Sequence, residues 1–300
     1  MKNTSNNLFV GYILLFVQPI FMASNTIVAR GGVLHVPPIS LAFFRWLFVF
    51  LILFFFTRKD ILKNLKFIKK DLKKFIFLGL TGCGVCGAFP FLAGMTTTAA
   101  NIGIIYTSSP IFIILFSFFI FKEKIYKLQL IGLTACLLGV IIIIIKGKLN
   151  LLLTLSLTKG DIWILGAALA WALYSIFLLK WKSKFNFYSR LTIIAFFGFL
   201  SLTPFALFEN YFIKEIIFDE YFYFWTFFAA LSPGIVAYIL HEKLQTKLGA
   251  STSGFIIYLF AIYGSIYGIL IFNERLELFH YLGASLVFFG VFLARKKSIN

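Results

Sequence analysis

Arg45 is the residue whose type and position most directly predict chemistry, because it stands inside the apolar segment 39–57. In a helix, about seven residues at ~1.5 Å each place it roughly 10 Å into that segment. A charged side chain at such a depth is costly and usually faces a cavity. There a planar guanidinium can hold a carboxylate or phosphate through two parallel hydrogen bonds. The alternatives are that Arg45 snorkels towards water or serves as a structural hydrogen-bonding group.

A second set of residues places polar and aromatic groups inside or near apolar segments, where they could line a cavity. Besides Arg45, the candidate solute-binding residues are Asn25, Asn101, Ser108, Trp171, Tyr174, Tyr238, Ser253 and Tyr258. Asn25 is favoured among the polar ones because it lies deep in the first apolar segment. Serine also bonds to helix backbone or to a neighbouring helix, and Trp and Tyr also populate membrane interfaces. A structural role is therefore the alternative for each residue.

Five of the seven prolines fall inside apolar segments rather than between them: Pro19, Pro90, Pro110, Pro204 and Pro233. Proline removes a backbone hydrogen bond and bends a helix. Irregular backbone at membrane depth is tolerated where it lines a cavity. We predict kinks or gate points at these positions, with a static kink as the alternative for each.

Groupings typical of enzymes are weak. Cys83 and Cys86 form a lone CxxC inside an apolar segment without a second pair, which favours packing over a zinc or redox site. The three histidines are scattered, and no Gly-rich phosphate loop is present. We predict that the protein is not an enzyme and has no cofactor or metal. His241 and Glu242 are the nearest candidates for coupling to protons, because no other acid stands clearly in mid-segment.

The composition indicates the fold class. The 300 residues are 61% hydrophobic and only 13% charged, with a mean hydropathy of +0.95, whereas soluble domains are about 45–50% apolar and about 25% charged. Apolar runs near 20 residues recur, each long enough to cross a ~30 Å hydrocarbon layer as a helix. We predict an all-α polytopic membrane protein in a lipid bilayer. The net charge of +17 is attributed to basic cytoplasmic loops rather than to nucleic-acid binding.

Ten membrane spans can be drawn, joined by short connections that leave no room for a soluble domain. We place them at residues 8–29, 39–57, 75–95, 99–120, 128–145, 161–179, 190–208, 222–240, 249–271 and 278–294. Most lysines and arginines fall on the side that carries both termini, and basic loops stay in the cytoplasm. We therefore predict cytoplasmic termini, in the bacterial inner (plasma) membrane. Glu209, Glu215, Asp219 and Glu220 then belong to an outer connection.

Two 19-residue stretches repeat each other across the halves of the chain: "FKEKIYKLQLIGLTACLLG" (Phe121–Gly139) and "FNERLELFHYLGASLVFFG" (Phe272–Gly290). Five spans in each half give the second half the opposite orientation, as in the inverted repeats of transporters. We predict repeats at residues 1–146 and 160–297. Structural roles are assigned to Glu123, as a helix cap, to its counterpart Glu274, and to Gly132, Gly139, Gly283 and Gly290, as close helix contacts.

Several segments together resemble the drug/metabolite transporter superfamily, in particular its EamA-type members with ten spans. These segments are "FMASNTIVAR" (Phe21–Arg30), "PPISLAFFRW" (Pro37–Trp46), "ALAWALYSIFLLK" (Ala168–Lys180), "AGMTTTAANIGIIYTSSPIFIIL" and the two Glu…Gly…Gly stretches. The sequence departs from the family pattern at Ala261, where proline is frequent, and at His241 and Glu242. The resemblance implies a carrier of small metabolites, commonly an exporter.

The predicted function is therefore secondary transport of a small-molecule substrate by alternating access. One cationic group among aromatic side chains favours export of amino acids or related zwitterionic or aromatic solutes. The alternative is uptake or exchange of nucleotide-like or phosphorylated metabolites such as S-adenosylmethionine, which would need further cationic groups beyond Arg45. The rival class of a channel is less suited to interior prolines in inverted repeats. The sequence leaves open whether the protein is a monomer or a homodimer.

Overall fold

The computed structural model describes residues 2–122, 127–147, 158–253 and 256–295. Ten principal helices occur within these residues, and a short helix, Leu65–Lys70, lies between the second and third of them. They are α1 (Lys2–Ile27, Val28–Gly32 and Val33–His35), α2 (Pro38–Lys63), α3 (Leu72–Leu78, Gly79–Val85 and Cys86–Gly94), α4 (Ala99–Tyr106 and Ser109–Phe121), α5 (Lys127–Ile144), α6 (Lys159–Lys180), α7 (Phe187–Phe212), α8 (Glu220–Ala230, Leu231–Val236 and Ala237–Ser253), α9 (Ile256–Phe272) and α10 (Leu278–Arg295).

The apolar character of these helices confirms the all-α polytopic membrane class. Among the described residues, seven helices are long and apolar enough to cross a membrane, and α5, α9 and α10 hold shorter apolar stretches. Large apolar side chains are exposed on the outside of the bundle, among them Phe55, Phe56, Phe119, Leu138, Phe205 and Leu270. Such a surface suits lipid, because lipid chains are as apolar as these side chains.

Two of the predicted connections are instead helical. The basic stretch 58–74 continues α2 to Lys63 and then forms the short helix Leu65–Lys70. The segment that holds Lys243 and Lys247 belongs to α8, which runs on to Ser253, so that α9 begins at Ile256 rather than at 249. A helix can run on past its apolar stretch wherever water solvates its charged side chains, so polarity alone did not mark its end.

Three helices contain a π-helical turn: Val28–Gly32 in α1, Gly79–Val85 in α3 and Leu231–Val236 in α8. In α4 the two helical parts meet at Thr107 and Ser108, and Pro110 begins the second part. π-Turns inside helices are rare and frequent at functional sites. These four interruptions therefore mark candidate positions for a functional site.

Helices α2 and α7 pair antiparallel through two reciprocal carboxylate contacts. The Glu209 carboxylate near the end of α7 accepts hydrogen bonds from the backbone N–H (2.7 Å) and hydroxyl (2.8 Å) of Ser40 at the start of α2. The Asp60 carboxylate near the end of α2 accepts one from the Ser189 hydroxyl at the start of α7. Glu209 is therefore buried at a helix N-terminus, where an acid is favourable, and not in the polar connection predicted for it.

Glycines join α5 to α10 in a second antiparallel pair. A Cβ on Gly139 would lie 2.6 Å from the carbonyl oxygen of Gly283, and one on Gly290 would lie 2.5 Å from that of Gly132. These distances are shorter than any real carbon contact, so only glycine permits this approach. The structure thus brings the four predicted glycines together in one helix–helix contact, as small residues do in membranes.

Replacing Gly139 by valine is expected to destabilise the α5–α10 pair by at least the ~1–3 kcal/mol typical of overpacking, because backbone atoms cannot yield to the new side chain. The measurement is thermal unfolding of the purified protein in detergent. The control is Leu138→Phe, which adds volume at a neighbouring side chain that is 56% exposed. Equal melting temperatures for Gly139→Val and the control would contradict this contact.

Candidate functional site

A cavity lies at the centre of the bundle and is walled by both halves of the chain. Its lining residues come from α1 to α4 and from α6, α8 and α9: Met22, Asn25, Arg45, Trp46, Gly82, Cys86, Pro90, Ile102, Tyr106, Ile164, Trp171, Pro233, Tyr238 and Phe260. The volume free for water is about 50 Å³, which is room for a few water molecules. A position between two repeats is where transporters bind their cargo.

Arg45 extends from α2 into this cavity and is held at its tip. One terminal nitrogen donates to Oδ1 of Asn25 at 2.6 Å, and the other donates to the backbone carbonyl of Pro233 at 3.1 Å. Pro233 belongs to the π-helical turn of α8, so the irregular backbone supplies this acceptor. The guanidinium therefore connects α1, α2 and α8. Arg45 both makes structural contacts and lines the cavity.

No carboxylate balances the charge of Arg45 among the described residues that line the cavity. Arg45 is 5% exposed, and its Nε–H has no hydrogen-bond partner in the described part of the chain. The guanidinium carbon lies 4.8 Å from the ring of Trp46 and 5.8 Å from that of Phe91, contacts that stabilise a cation weakly. A buried charge without a counterion is unfavourable, so the cavity is suited to an anionic group.

Aromatic side chains form much of the remaining lining. The ring of Tyr106 lies 5.6 Å from that of Phe260 and 6.3 Å from that of Trp171, and the Tyr106 hydroxyl lies 2.9 Å from Sγ of Cys86. Tyr238 meets Trp46 edge to face at 5.9 Å. The cavity therefore combines one guanidinium with flat apolar surfaces, which suits a planar solute with an acidic group.

The predicted solute-binding residues divide into two groups. Arg45, Asn25, Trp171 and Tyr238 line the cavity. Tyr174 is buried behind Trp171, at a ring distance of 5.4 Å. Ser108 bonds its hydroxyl to the carbonyl of Ile105 in its own helix at 2.7 Å. The side chains of Ser253 and Tyr258 lie outside the described part of the structure.

Asn101 belongs to a different polar cluster, which the sequence did not suggest. Its side-chain nitrogen donates to Thr97 at 3.1 Å and to Asp161 at 3.4 Å, and Thr97 donates to Asp161 at 2.6 Å. Asp161 is fully buried in the first turn of α6, and Thr158 completes its hydrogen bonds. This cluster fastens the α3–α4 turn to α6. Asp161 was missed because it lies next to the polar end of its span.

The predicted prolines occupy distinct positions. Pro90 and Pro233 line the cavity, Pro19 and Pro204 lie inside α1 and α7, and Pro110 starts the second part of α4. Only the first two are placed to shape the cavity directly. Their roles in gating stay predictions.

His241 lies beside a smaller cavity, of about 30 Å³, lined also by Gln18, Met22, Trp171, Ala237 and Tyr238. Three of these residues line the Arg45 cavity as well, so the two spaces adjoin. Nδ1 of His241 is buried and has no hydrogen-bond partner among the described residues. Glu242 lines neither cavity. The arrangement favours His241 over Glu242 as the group that could exchange a proton near the cavity.

Glu274 closes the end of the bundle that the charge pattern predicts to face outwards, called the outer end below. Its carboxylate accepts from the backbone N–H of Ala99 at 2.8 Å and of Ala100 at 3.3 Å. It also lies 3.5 Å from Nε of Arg30. Arg30 in turn donates to the carbonyl of Gly94 at 2.8 Å. Glu274 therefore joins the α9–α10 connection to α1, α3 and α4. Its counterpart Glu123 lies outside the described residues.

Several lining residues were not predicted, chiefly Trp46, Tyr106 and Cys86. Trp46 follows Arg45 directly in a stretch that resembles a family motif. Its position next to Arg45 was the signal that could have identified it. Cys86 had been assigned to packing. Within the described residues no group of three or more His, Cys, Asp and Glu side chains is placed to hold a metal ion.

Comparisons with known proteins agree with this architecture. A model of the EamA-like transporter family matches residues 9–145 and 158–295. An uncharacterised transporter of Archaeoglobus fulgidus is 25% identical over 289 residues, covering 95% of this chain and 97% of the relative. The uncharacterised transporter YetK of Bacillus subtilis is 26% identical, covering 94% and 86%. A solved crystal structure superposes with a TM-score of 0.58 at 15% identity, covering 97% and 96%, and this likeness concerns the fold alone.

Proposed function

The chain belongs to the EamA-like transporter family, and on that premise we propose that it is a secondary transporter that exports small organic metabolites by alternating access. The proposed cargo is an amino acid or a related zwitterionic or aromatic solute. Arg45 binds its carboxylate, and the aromatic side chains of the lining receive its apolar part. The observation that carries this proposal is a buried arginine, in a cavity between the two halves, with no carboxylate partner among the described lining residues.

Alternating access explains why the cavity is small. The cavity has room for only a few water molecules, so the walls must separate for a solute to enter. The contacts of Glu274 with α1 and α4 hold the outer end together. We infer that they break when the cavity opens to the outside. Arg45 stays near the centre of the bundle and is reached from either end.

The placement in the cell follows from the charge pattern. The basic ends and loops favour cytoplasmic termini in the inner (plasma) membrane of a bacterium. Export then moves solute towards the end at which Glu274 lies. The close fit between α5 and α10 is compatible with a monomer or a homodimer, because it leaves their lipid-facing surfaces free.

The test is counterflow into proteoliposomes. Vesicles are loaded with one unlabelled solute and uptake of the labelled solute is followed, over a panel of aromatic and aliphatic amino acids, nucleosides and S-adenosylmethionine. Saturable counterflow of an amino acid is expected. Transport of nucleosides or S-adenosylmethionine alone would favour the second candidate function, and flux that is not saturable would indicate a channel.

Coupling to protons is proposed to use His241. We expect His241→Ala to abolish uphill export driven by an imposed pH gradient but to preserve counterflow, which needs no driving force. The measurement is solute accumulation with and without the gradient in oriented vesicles. Among the described residues that line this smaller cavity, Tyr238 is the only other titratable group, and it also lines the Arg45 cavity. Glu242→Gln is the neighbouring control, and an unchanged response of the double variant would remove both residues from coupling.

A further inference from the structure

We infer that Arg45, Trp46 and Gly87 together form a receptor for a single carboxylate, and that the preferred solute is an aromatic acid without a charged amine. This inference rests on the proposed function, because it narrows the cargo of the same cavity. It adds Trp46 and Gly87 as residues that determine specificity.

Two buried N–H donors beside the cavity have no acceptor in the described part of the chain: Nε of Arg45 and Nε1 of Trp46. The two side chains are adjacent, with the guanidinium carbon 4.8 Å from the Trp46 ring. Both residues line the cavity and are at most 5% exposed. A buried donor left without an acceptor is unfavourable. A carboxylate, with two oxygens, can accept from both.

Gly87 packs directly against the indole nitrogen. A Cβ at this position would lie 2.4 Å from Nε1 of Trp46, so any larger residue would push the indole away. Gly87 follows Cys86, which lines the cavity. The position of the indole N–H beside the cavity therefore depends on glycine at residue 87.

The described lining of the cavity holds no carboxylate for an ammonium group. Arg45 is the single charged residue of that lining. The buried acids of the outer half are engaged elsewhere: Asp161 with Thr97, Asn101 and Thr158, Glu209 with α2, and Glu274 with Arg30 and α4. Sites for zwitterions require an acceptor for each charge. Within the described lining, only the anionic half of a zwitterion meets an opposite charge.

An α-amino acid would also bring a second cation close to Arg45. Its ammonium and carboxylate share one carbon atom, so a carboxylate bound to Arg45 places the ammonium within about 5 Å of the guanidinium. Like charges at that distance weaken binding by roughly a few hundredfold at the effective permittivity of a protein. The faces of Trp46 and Phe91 already lie against Arg45, and the other aromatic faces of the lining stabilise an ammonium by less than this repulsion.

The rest of the lining suits an aromatic ring once the walls separate. Tyr106, Trp171 and Phe260 supply flat surfaces close to one another, and rings favour offset or edge-to-face contacts with one another. Ile102 and Ile164 complete the apolar lining. The combination selects a ring that carries one carboxylate on a short chain.

The experiment is calorimetric titration of the purified protein with three compounds of the same skeleton: 3-phenylpropionate, phenylalanine and phenethylamine. The expected order is acid at least tenfold tighter than amino acid, with no binding of the amine. Trp46→Phe and Gly87→Ala are each expected to weaken binding of the acid by roughly tenfold, the effect of losing one charge-assisted hydrogen bond. The matched control is Trp181→Phe, because that indole packs on Phe77 away from the cavity.

The outcomes separate this inference from the proposed function. Phenylalanine binding as tightly as 3-phenylpropionate would overturn the inference and leave an amino acid exporter standing. If Trp46→Phe and Gly87→Ala both bind the acid as tightly as the unchanged protein, these residues do not form the carboxylate receptor, although an aromatic acid would remain the preferred solute. Absence of binding for all three compounds, together with absent counterflow across the wider panel, would refute the proposed function itself. Melting temperatures of the variants show that each still folds.

Discussion

Arg45→Gln is expected to abolish saturable counterflow while the protein still inserts and folds. The variant loses the only charged group of the described cavity lining, and a hydrogen bond to a charged group contributes about 1.5–3 kcal/mol, or roughly ten- to hundredfold in affinity. Arg45→Lys should recover little, because an ammonium cannot donate to Asn25, to Pro233 and to a carboxylate in the fixed planar arrangement of a guanidinium. Counterflow rates at several solute concentrations give the comparison directly.

The control for this experiment is Arg190→Gln. Arg190 also lies in a membrane helix and donates to two backbone carbonyls, those of Leu178 and Trp181, at 2.8 and 2.7 Å. The Arg190→Gln variant therefore shows how far stability and transport fall when a structural arginine is lost. Since Arg45 also bonds to Asn25 and Pro233, both variants should lower the melting temperature. Equal transport by Arg45→Gln and Arg190→Gln would mean that Arg45 is structural only.

Glu274→Ala is expected to open the outer end of the protein. The substitution removes an ion pair with Arg30 and two hydrogen bonds to the first turn of α4, and loss of comparable helix-end contacts costs about 0.5–2 kcal/mol. Cys86 lines the cavity and reports its accessibility. In a Cys83→Ala, Cys136→Ala background, we expect a membrane-impermeant maleimide added outside to label Cys86 several-fold to tenfold faster in Glu274→Ala.

The neighbouring acid provides the control, since Glu277 is exposed and Glu277→Ala should leave the labelling rate unchanged. Labelling that rises when the reagent is added from the opposite side instead would reverse the assignment of the outer end. An unchanged rate from both sides would show that Glu274 does not hold the bundle closed. Transport rates alone would not separate these cases, because slower export can follow from a shift in either direction.

The sequence was sufficient to predict the fold, and the reasons are specific. Apolar length marked the membrane helices, and the Glu…Gly…Gly repeat identified the paired glycines of α5 and α10 before their contact was known. Glu209 was wrongly placed in a connection because a hydropathy pattern interprets an acidic residue as the end of a membrane span. The reciprocal contacts of Glu209 with Ser40 and of Asp60 with Ser189 depend on which helices become neighbours. The pattern of a single sequence does not show which helices pair.

The site was predictable only in part. Arg45 and Asn25 were found because a charge or amide deep in an apolar helix is rare, and they proved to be bonded to each other. Asn101 and Ser108 satisfied the same criterion but face other partners, because polarity does not indicate which side of a helix borders a cavity. Trp46 could not be distinguished from a packing residue until its unpartnered N–H and its close approach to Gly87 were visible.

The central claim, that an organic carboxylate binds beside Arg45 during transport, is tested most directly by protection of Cys86. The protein with Cys86 as its single cysteine is alkylated in oriented vesicles at increasing concentrations of a solute that gives counterflow. We predict that the solute slows alkylation with a half-maximal concentration that matches its transport, and that Arg45→Gln removes the protection. Counterflow of a solute that leaves the rate of Cys86 alkylation unchanged at saturation would contradict the account.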